Sequence, residues 1–371
     1  MVVSTRQAAV ALTFIPGVGI KTALDICRLT EGQPELAFSH PGDVGLNKHT
    51  AELLLAGQNE ALVRAEEEID WCDTHNIKVI PFGSADYPKR LTDVASAPVV
   101  LYYRGSANLN ARHIVSVVGT RRPSAYGQDV CRWIAQELKQ RLPDVIVVSG
   151  LAYGIDIHAH REALAEGLQT IAVLAHGLDR IYPADHRQTA AEMVEHGGLI
   201  TEFPRKTIPD KGNFVKRNRI VAALSDATIV VESGSRGGSL ITARLAGEFN
   251  REVFACPGRL HDGNAEGCIA LIEKQAALIF GSVAGMLRAL GWEAQDAAGA
   301  PEAETHQNSL FADVSALGKR LVELIATTDN ADINLLIEQT GESYAKVCAE
   351  LFNLEMMSLV RQLPGNIYRL V

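Results

Sequence analysis

Phe214-Val-Lys-Arg-Asn-Arg-Ile220 sets three cations, Lys216, Arg217 and Arg219, beside an aromatic ring and the amide of Asn218. The apolar run Ala227-Thr-Ile-Val-Val231 that follows reads as a buried strand. Ser233-Gly-Ser-Arg-Gly-Gly-Ser239 then reads as a turn into a helix running through Leu240, Ala243 and Ala246. Gly237 and Gly238 bare their backbone N–H groups to a ligand, and Ser239 is placed to cap the helix. Such a turn beside a cationic arm suits phosphate. Several cations in one short run suit a polyanion better than a single metabolite, because each phosphate neutralised adds affinity and salt sensitivity. Nucleic acid is the expected ligand, with Phe214 either stacked on a base or buried as the pin of the arm.

Two further turns share this logic. Val118-Gly-Thr-Arg-Arg122 offers Gly119 for close approach, with the Thr120 hydroxyl and the Arg121 guanidinium for phosphate oxygens. Ser149-Gly-Leu-Ala-Tyr-Gly-Ile-Asp156 offers Ser149, Gly150 and Gly154 at another helix start. Singly, each is ordinary strand-to-helix punctuation. Jointly, at neighbouring strand ends, they predict a composite anion site.

The elements that must position these turns are short apolar runs alternating with helical periods. Strands are predicted at 78–80, 99–103, 114–118, 145–148, 171–174, 199–201, 228–231, 253–255 and 277–280, with helices such as 125–142 and 157–166 between them. That alternation means an α/β fold, a mostly parallel sheet with helices on both faces, whose ligands sit beyond the carboxyl ends of the strands. Residues 1–75 read as a small helical domain: Ala8, Ala11, Leu12 and Ile15 lie at helix-face spacing before Pro16-Gly-Val-Gly19, and a second period runs through Ala23, Ile26 and Cys27. The outline is a helix-hairpin-helix, whose turn either holds a DNA phosphate or is only a tight connection. The sheet domain spans 76–292, and residues 293–310, rich in Ala, Glu, Gln and Asp, read as a linker.

Residues 311–371 read as three helices and a hairpin, a small winged helix. This stretch holds five positive and eight negative residues, and its supposed recognition helix contributes Lys346 alone as a base. Such a surface repels a phosphate backbone, so protein contact is its expected role.

Bulk composition is that of an ordinary soluble globular chain: 47% hydrophobic and 21% charged over 371 residues. A formal net charge of −9 argues against a protein basic all over, yet between Arg205 and Arg219 six cations face Asp210 alone. A focused patch of that kind still binds DNA. No apolar run is long enough for a bilayer, the first residues lack a signal-peptide pattern, and six scattered cysteines fit buried thiols, so a cytoplasmic protein is expected, without membrane.

Asp156, Asp179, Glu202 and Glu232 fall near strand ends, where a hydrolytic site is conceivable. They are expected instead to cap helices and hold arginines. His158, His160, His176 and His186 have no Cys or carboxylate partners at ligand spacing, and no Walker-type Gly-Lys-Ser/Thr occurs. No catalytic residue, metal or cofactor is predicted.

The chain resembles the DprA/Smf DNA-processing proteins of bacterial natural transformation. The resemblance is carried by Gly119-Thr-Arg121, Ser149-Gly-Leu-Ala-Tyr-Gly-Ile-Asp156, Gly177-Leu-Asp-Arg-Ile-Tyr-Pro183, Phe214 to Ile220 with Leu224-Ser225, and Gly238-Ser-Leu-Ile-Thr-Ala243 followed by Pro257-Gly258. It implies an extended Rossmann-like core that binds single-stranded DNA, forms a homodimer and helps load the RecA recombinase, with helical N-terminal and winged C-terminal modules. It further implies phosphate contacts from Arg121, Lys216, Arg217 and Arg219. The chain departs from the family pattern at His176 and Gln275, where glycines are expected, and at Ile269, where an asparagine is expected. The alternative from another class is a nucleotide-binding hydrolase of the related phosphoribohydrolase type. Those enzymes carry Pro-Gly-Gly-x-Gly-Thr with a glutamate downstream, whereas here Glu232 precedes the glycines and Arg236 lies within them.

Overall fold

The computed structural model describes residues 3–40, 42–292, 315–327, 331–356, 359–363 and 367–370, in two compact units divided after Glu293. The predicted linker 293–310 lies outside the described residues, as does the Pro364-Gly365 turn.

Among the described residues of the first unit, nine strands form one sheet in the order β1-β2-β6-β5-β4-β3-β7-β8-β9. They are β1 (Lys78–Pro81), β2 (Val100–Gly105), β3 (Ile114–Val118), β4 (Ile146–Ser149), β5 (Gln169–Val173), β6 (Gly197–Thr201), β7 (Ala227–Val230), β8 (Glu252–Ala255) and β9 (Leu278–Ile279). Each matches a run predicted from sequence. β1 and β2 pair antiparallel at one edge, β2 pairs antiparallel with β6, and every other pairing is parallel. Strands β3 to β6 step outward one way and β7 to β9 the other, so the chain changes direction between β3 and β7. That is the position where open α/β sheets leave a crevice for a ligand.

Central strands are apolar on both faces because helices cover both. Ile114 and Val118 point into one core with Ile220, Leu224 and Ala243; Val115 and Val117 point into the other with Val130, Ile134 and Ile155. The first core holds α9 (Lys211–Leu224) and α10 (Gly238–Glu248), the second α6 (Ala125–Arg141) and α7 (Ile155–Ala165). Between them, α8 (Arg187–Glu195) packs on β5 and β6 through Ala190 and Met193.

The N-terminal helices α1 (Thr5–Leu12), α2 (Ile20–Leu29), α3 (Glu35–Ser39) and α4 (Lys48–Thr74) share the first core with the sheet rather than enclosing one of their own. Ala8 to Leu12 are fully buried in one cluster with Val79, Ile80 and Leu101. Gln275 adopts φ 54°, the left-handed region that glycine enters most easily, which accounts for the glycine expected there.

The second unit contains α13 (Ala316–Thr327), α14 (Ile333–Thr340) and α15 (Tyr344–Met356), with three antiparallel strands, Ala331–Asp332, Val360–Leu363 and Ile367–Leu370. Leu321, Leu336, Val347, Leu351 and Val360 form its core. On α15, Tyr344 (62%) and Phe352 (63%) stay exposed, and Lys346 is paired with Glu342 at 3.1 Å. No helix among the described residues is long and apolar enough to cross a membrane.

Candidate nucleic-acid interface

A 720 Å³ cleft opens at the carboxyl ends of β3 and β4, against α9 and the start of α10. The turn after β3 is clamped on two sides: Thr120 donates its N–H to the Glu232 carbonyl at 2.7 Å, and its own carbonyl accepts from Ile155 N at 3.1 Å. Glu232 in turn accepts from Ser124 N at 2.9 Å and from Ser124 Oγ at 2.5 Å, holding β7 to the start of α6. Held this way, the turn leaves Arg121 exposed, with its guanidinium 5.5 Å from the centroid of the half-buried Phe214 ring. Tyr182, 47% exposed, brings a second ring to 5.9 Å from Phe214. An exposed guanidinium beside an aromatic ring suits a phosphate next to a stacked base.

Phe214 stands on a helix, not on an extended arm. Asp210 caps α9, its carboxylate accepting from Gly212 N at 2.6 Å and Asn213 N at 3.1 Å. With about 100° between successive residues, Lys211, Phe214, Arg217 and Asn218 share the flank that lines the cleft. Lys216 and Arg219 lie on the other flank.

Ten of the residues singled out from sequence line the cleft: Gly119, Thr120, Arg121, Gly150, Phe214, Arg217, Asn218, Gly237, Gly238 and Ser239. Four do not. Ser149 is fully buried and donates its hydroxyl to the Val117 carbonyl at 2.6 Å. Gly154 (φ 82°) sits beneath the β3 turn, where a Cβ would stand 2.2 Å from the Thr120 carbonyl. Lys216 is exposed but turned from the cleft. Arg219 is buried against Glu202 in a short ion pair, and burial still raises the Glu202 pKa against the pull of that guanidinium. The expectation of phosphate contacts from Lys216 and Arg219 is therefore corrected: helical rotation puts both on the far flank, and Arg219 already has a carboxylate.

Several lining residues have roles other than those expected from sequence. Arg217 is 4% exposed; its Nη1 donates to the Val173 carbonyl at 3.0 Å, and it is the floor of the cleft, not a reaching cation. Burial lowers its pKa, with Asp156 opposing and Arg121 adding to the shift. Gly150 is required by this guanidinium, since a Cβ there would fall 1.4 Å from Nη1. Gly119 makes room for Ile155 and Gly237 for Ser233, and of the four lining glycines Gly238 alone has open space in place of a side chain. Ser239 does not cap α10; Gly237 holds that position, and the Ser239 hydroxyl donates to Ser233 Oγ at 2.8 Å. Asn218 Nδ2 lies 3.5 Å from the Gly238 carbonyl, linking the two helices that wall the cleft.

Two lining residues are not singled out from sequence, although Lys211 is one of the six cations of the 205–219 patch. Lys211 precedes Phe214 by three, a relation visible only once the segment is taken as helical. Tyr182 lies within the Gly177 to Pro183 motif but is remote in sequence from every basic residue of the cleft.

The carboxylates of the cleft are engaged. Asp156, whose pKa burial raises, accepts from Gly150 N at 3.2 Å and Ala152 N at 3.4 Å, and Asp210 caps α9. His160, His176 and His186 are buried, each with Nδ1 on an internal oxygen. Among the described residues no cluster of three or more His, Cys, Asp or Glu is placed to hold a metal.

A family model described as DNA recombination-mediator protein A matches residues 78–290, and one described as the DprA winged helix domain matches residues 288–366. The chain is 34% identical over 330 residues to protein Smf of Escherichia coli (strain K12), covering 88% of this chain and 85% of that one. It is 40% identical over 205 residues to DNA processing protein DprA of Bacillus subtilis (strain 168), covering 55% and 68%. Among solved structures it is similar to DprA from Streptococcus pneumoniae, with a TM-score of 0.59 at 29% identity over 77% of this chain and 93% of that one. It is also similar to DNA processing protein A from Helicobacter pylori, described for its single-stranded DNA binding mode, with a TM-score of 0.52 at 31% identity over 58% and 95%.

Proposed function

Because this chain belongs to the DprA/Smf family of DNA-processing proteins, we propose that it binds single-stranded DNA in the cleft at the turning point of its sheet, without catalysis. The observation that carries this reading is the grouping of Arg121, Phe214, Tyr182 and Lys211 around one cleft, cations beside aromatic rings above the buried Arg217. That mixture suits an unpaired strand, whose bases are free to stack while its phosphates seek charge, and it gives no base-edge code. The single-stranded DNA binding named for the Helicobacter relative supports the same ligand. Asp156 and Asp210, the carboxylates lining the cleft, are engaged by backbone amides, which favours binding over carboxylate-driven hydrolysis.

As a family member, the protein protects incoming strands during natural transformation and helps load RecA onto them, working as a cytoplasmic homodimer. Its winged unit, with Tyr344 and Phe352 exposed and Lys346 neutralised by Glu342, serves a protein partner rather than a duplex. Fluorescence anisotropy of labelled oligothymidine tests the central reading. Binding should weaken with salt at a logarithmic slope of about −0.7 per phosphate contacted, and Arg121→Ala should weaken it while thermal melting stays unchanged. Mononucleotide turnover without oligonucleotide binding would replace the reading with the hydrolase alternative. Solution mass with and without the oligonucleotide checks the dimer.

A further inference from the structure

A second concave site, 320 Å³ in volume, lies where the N-terminal helices meet the loop after β6. Phe14, just past α1, Arg64, Glu67 and Glu68 on α4, and Arg205 and Lys206 on the loop form its walls. The exposed Arg64 lies over the Phe14 ring, 4.3 Å from its centroid. A guanidinium seated over a ring in this way leaves its other side to a base.

The loop carrying Arg205 and Lys206 is held in place before any ligand arrives. Arg205 N donates to the Glu68 carboxylate at 2.8 Å, and its guanidinium pairs with the same group at 3.1 Å. Lys206 N donates to Asp179 Oδ1 at 3.0 Å, and Gly177 N donates to the Thr207 carbonyl at 3.3 Å. Lys206 takes φ 67°, a conformation that a residue with a side chain enters only where its surroundings impose it. The outcome is a lysine whose backbone is fixed at the surface with its side chain exposed. Arg205 is occupied by Glu68 and, at 3.8 Å, by Glu67, whose side chain is 66% exposed, so Lys206 and Arg64 are the cations this junction offers a ligand.

The same loop runs on to Lys211 on the cleft, five residues after Lys206, so at most about 18 Å of chain separates the two. We infer that a single strand of nucleic acid continues from the cleft onto this junction, with a phosphate on Lys206 and a base on the Arg64–Phe14 pair. The hairpin region of the N-terminal helices then meets the strand through a side-chain stack beside the turn rather than through the glycine amides of the turn. This inference rests on the cleft reading and extends it.

The test compares a short oligothymidine of about six nucleotides, which fills the cleft, with one of about sixteen, which reaches beyond it. Arg64 and Lys206 are both exposed, so the double variant Arg64→Glu, Lys206→Glu keeps the fold, which thermal melting checks. For the native protein, the salt slope should be steeper with the long oligomer by about 0.7, from one additional phosphate. The double variant should bind the short oligomer as the native protein does, lose about tenfold in affinity for the long one, and show the short oligomer's slope with both. Native affinity and slope for the long oligomer would overturn the inference. So would an equal loss with both lengths, which would mean that the two charges act on the cleft from a distance. A native protein that fails to bind even the short oligomer, or an Arg121→Ala variant that binds it undiminished, would sink the cleft reading itself and this extension with it.

Discussion

Helix α9 divides its basic residues between two flanks that differ in everything except charge. On the cleft flank, Lys211 is exposed and Arg217 lies beneath Phe214 as a floor. On the opposite flank, Arg219 is spent on Glu202, and Lys216 acts on that same carboxylate across the surface. A run of cations along a sequence therefore does not measure the field that a phosphate meets. The helical period sorts those cations first, and any buried carboxylate claims its share before a ligand does.

Arg219→Ala should give the largest effect of those expected here, and on stability rather than binding. Both partners are largely buried, with side chains 10% and 7% exposed, so removal leaves Glu202 without its hydrogen-bonded cation and with Lys216 acting only from a distance. The expected loss is about 3–5 kcal/mol, read from urea denaturation. The pH dependence has a definite sign. Glu202 already has a folded pKa raised from 4.5 by burial, and loss of Arg219 removes the main opposing cause. A raised carboxyl contributes stability at low pH that is lost as pH rises through its folded value, so the deficit of the variant should shrink as pH falls toward 4.5. A deficit that stays constant with pH would show that Glu202 is not the group left behind.

Gly150→Ala should come next, at about 1–3 kcal/mol, because the new methyl would push the buried Arg217 guanidinium off the Val173 carbonyl. If Arg217 is the floor of the cleft, the same variant should also weaken oligonucleotide binding. A variant less stable but unimpaired in binding would separate the floor from the rim. On the rim, Phe214→Ala should lose about 1–3 kcal/mol of binding, the range for one stacked base, with little change in melting because the ring is only half buried. Phe214→Tyr should retain most of that affinity, which a merely space-filling role would not require.

Most of the architecture is legible in the sequence, and the reasons are local. The β-branched runs at Ile114–Val118 and Ala227–Val230 specify strands buried on both faces, and the glycine turns after them specify where those strands stop. The site is legible only to the level of which turns converge. Gly150 and Gly119 look like bare backbone waiting for an anion, yet the space their missing side chains leave is filled by Arg217 and Ile155. No local pattern distinguishes room made for a ligand from room made for another part of the chain. Ser149 and Ser239 mislead in the same way, since hydroxyls next to glycines read as phosphate donors until internal acceptors are found for them. Lys211 is counted in the basic patch but not placed with Phe214, because three residues are adjacent in a helix and distant in an arm.

The smallest effect expected is that of Lys216→Glu, and it tests the comparison most directly. Lys216 is nearer in sequence to Phe214 than Lys211 is, so a binding arm without helical structure would make it the more important cation. On a helix it sits about 200° around from Phe214, and its charge reaches the cleft only through solvent. At an ionic strength near 0.15 M, where screening acts over about 8 Å, reversal should change oligothymidine affinity less than about threefold. Lowering the salt should enlarge that change, since screening is what hides it, while the salt slope itself should hardly move because no phosphate contact is lost. Lys211→Glu, measured alongside, should both weaken binding strongly and flatten the slope. Equal losses from the two variants, with equal changes of slope, would mean that the strand wraps α9 from both sides and that the division between its flanks is not functional.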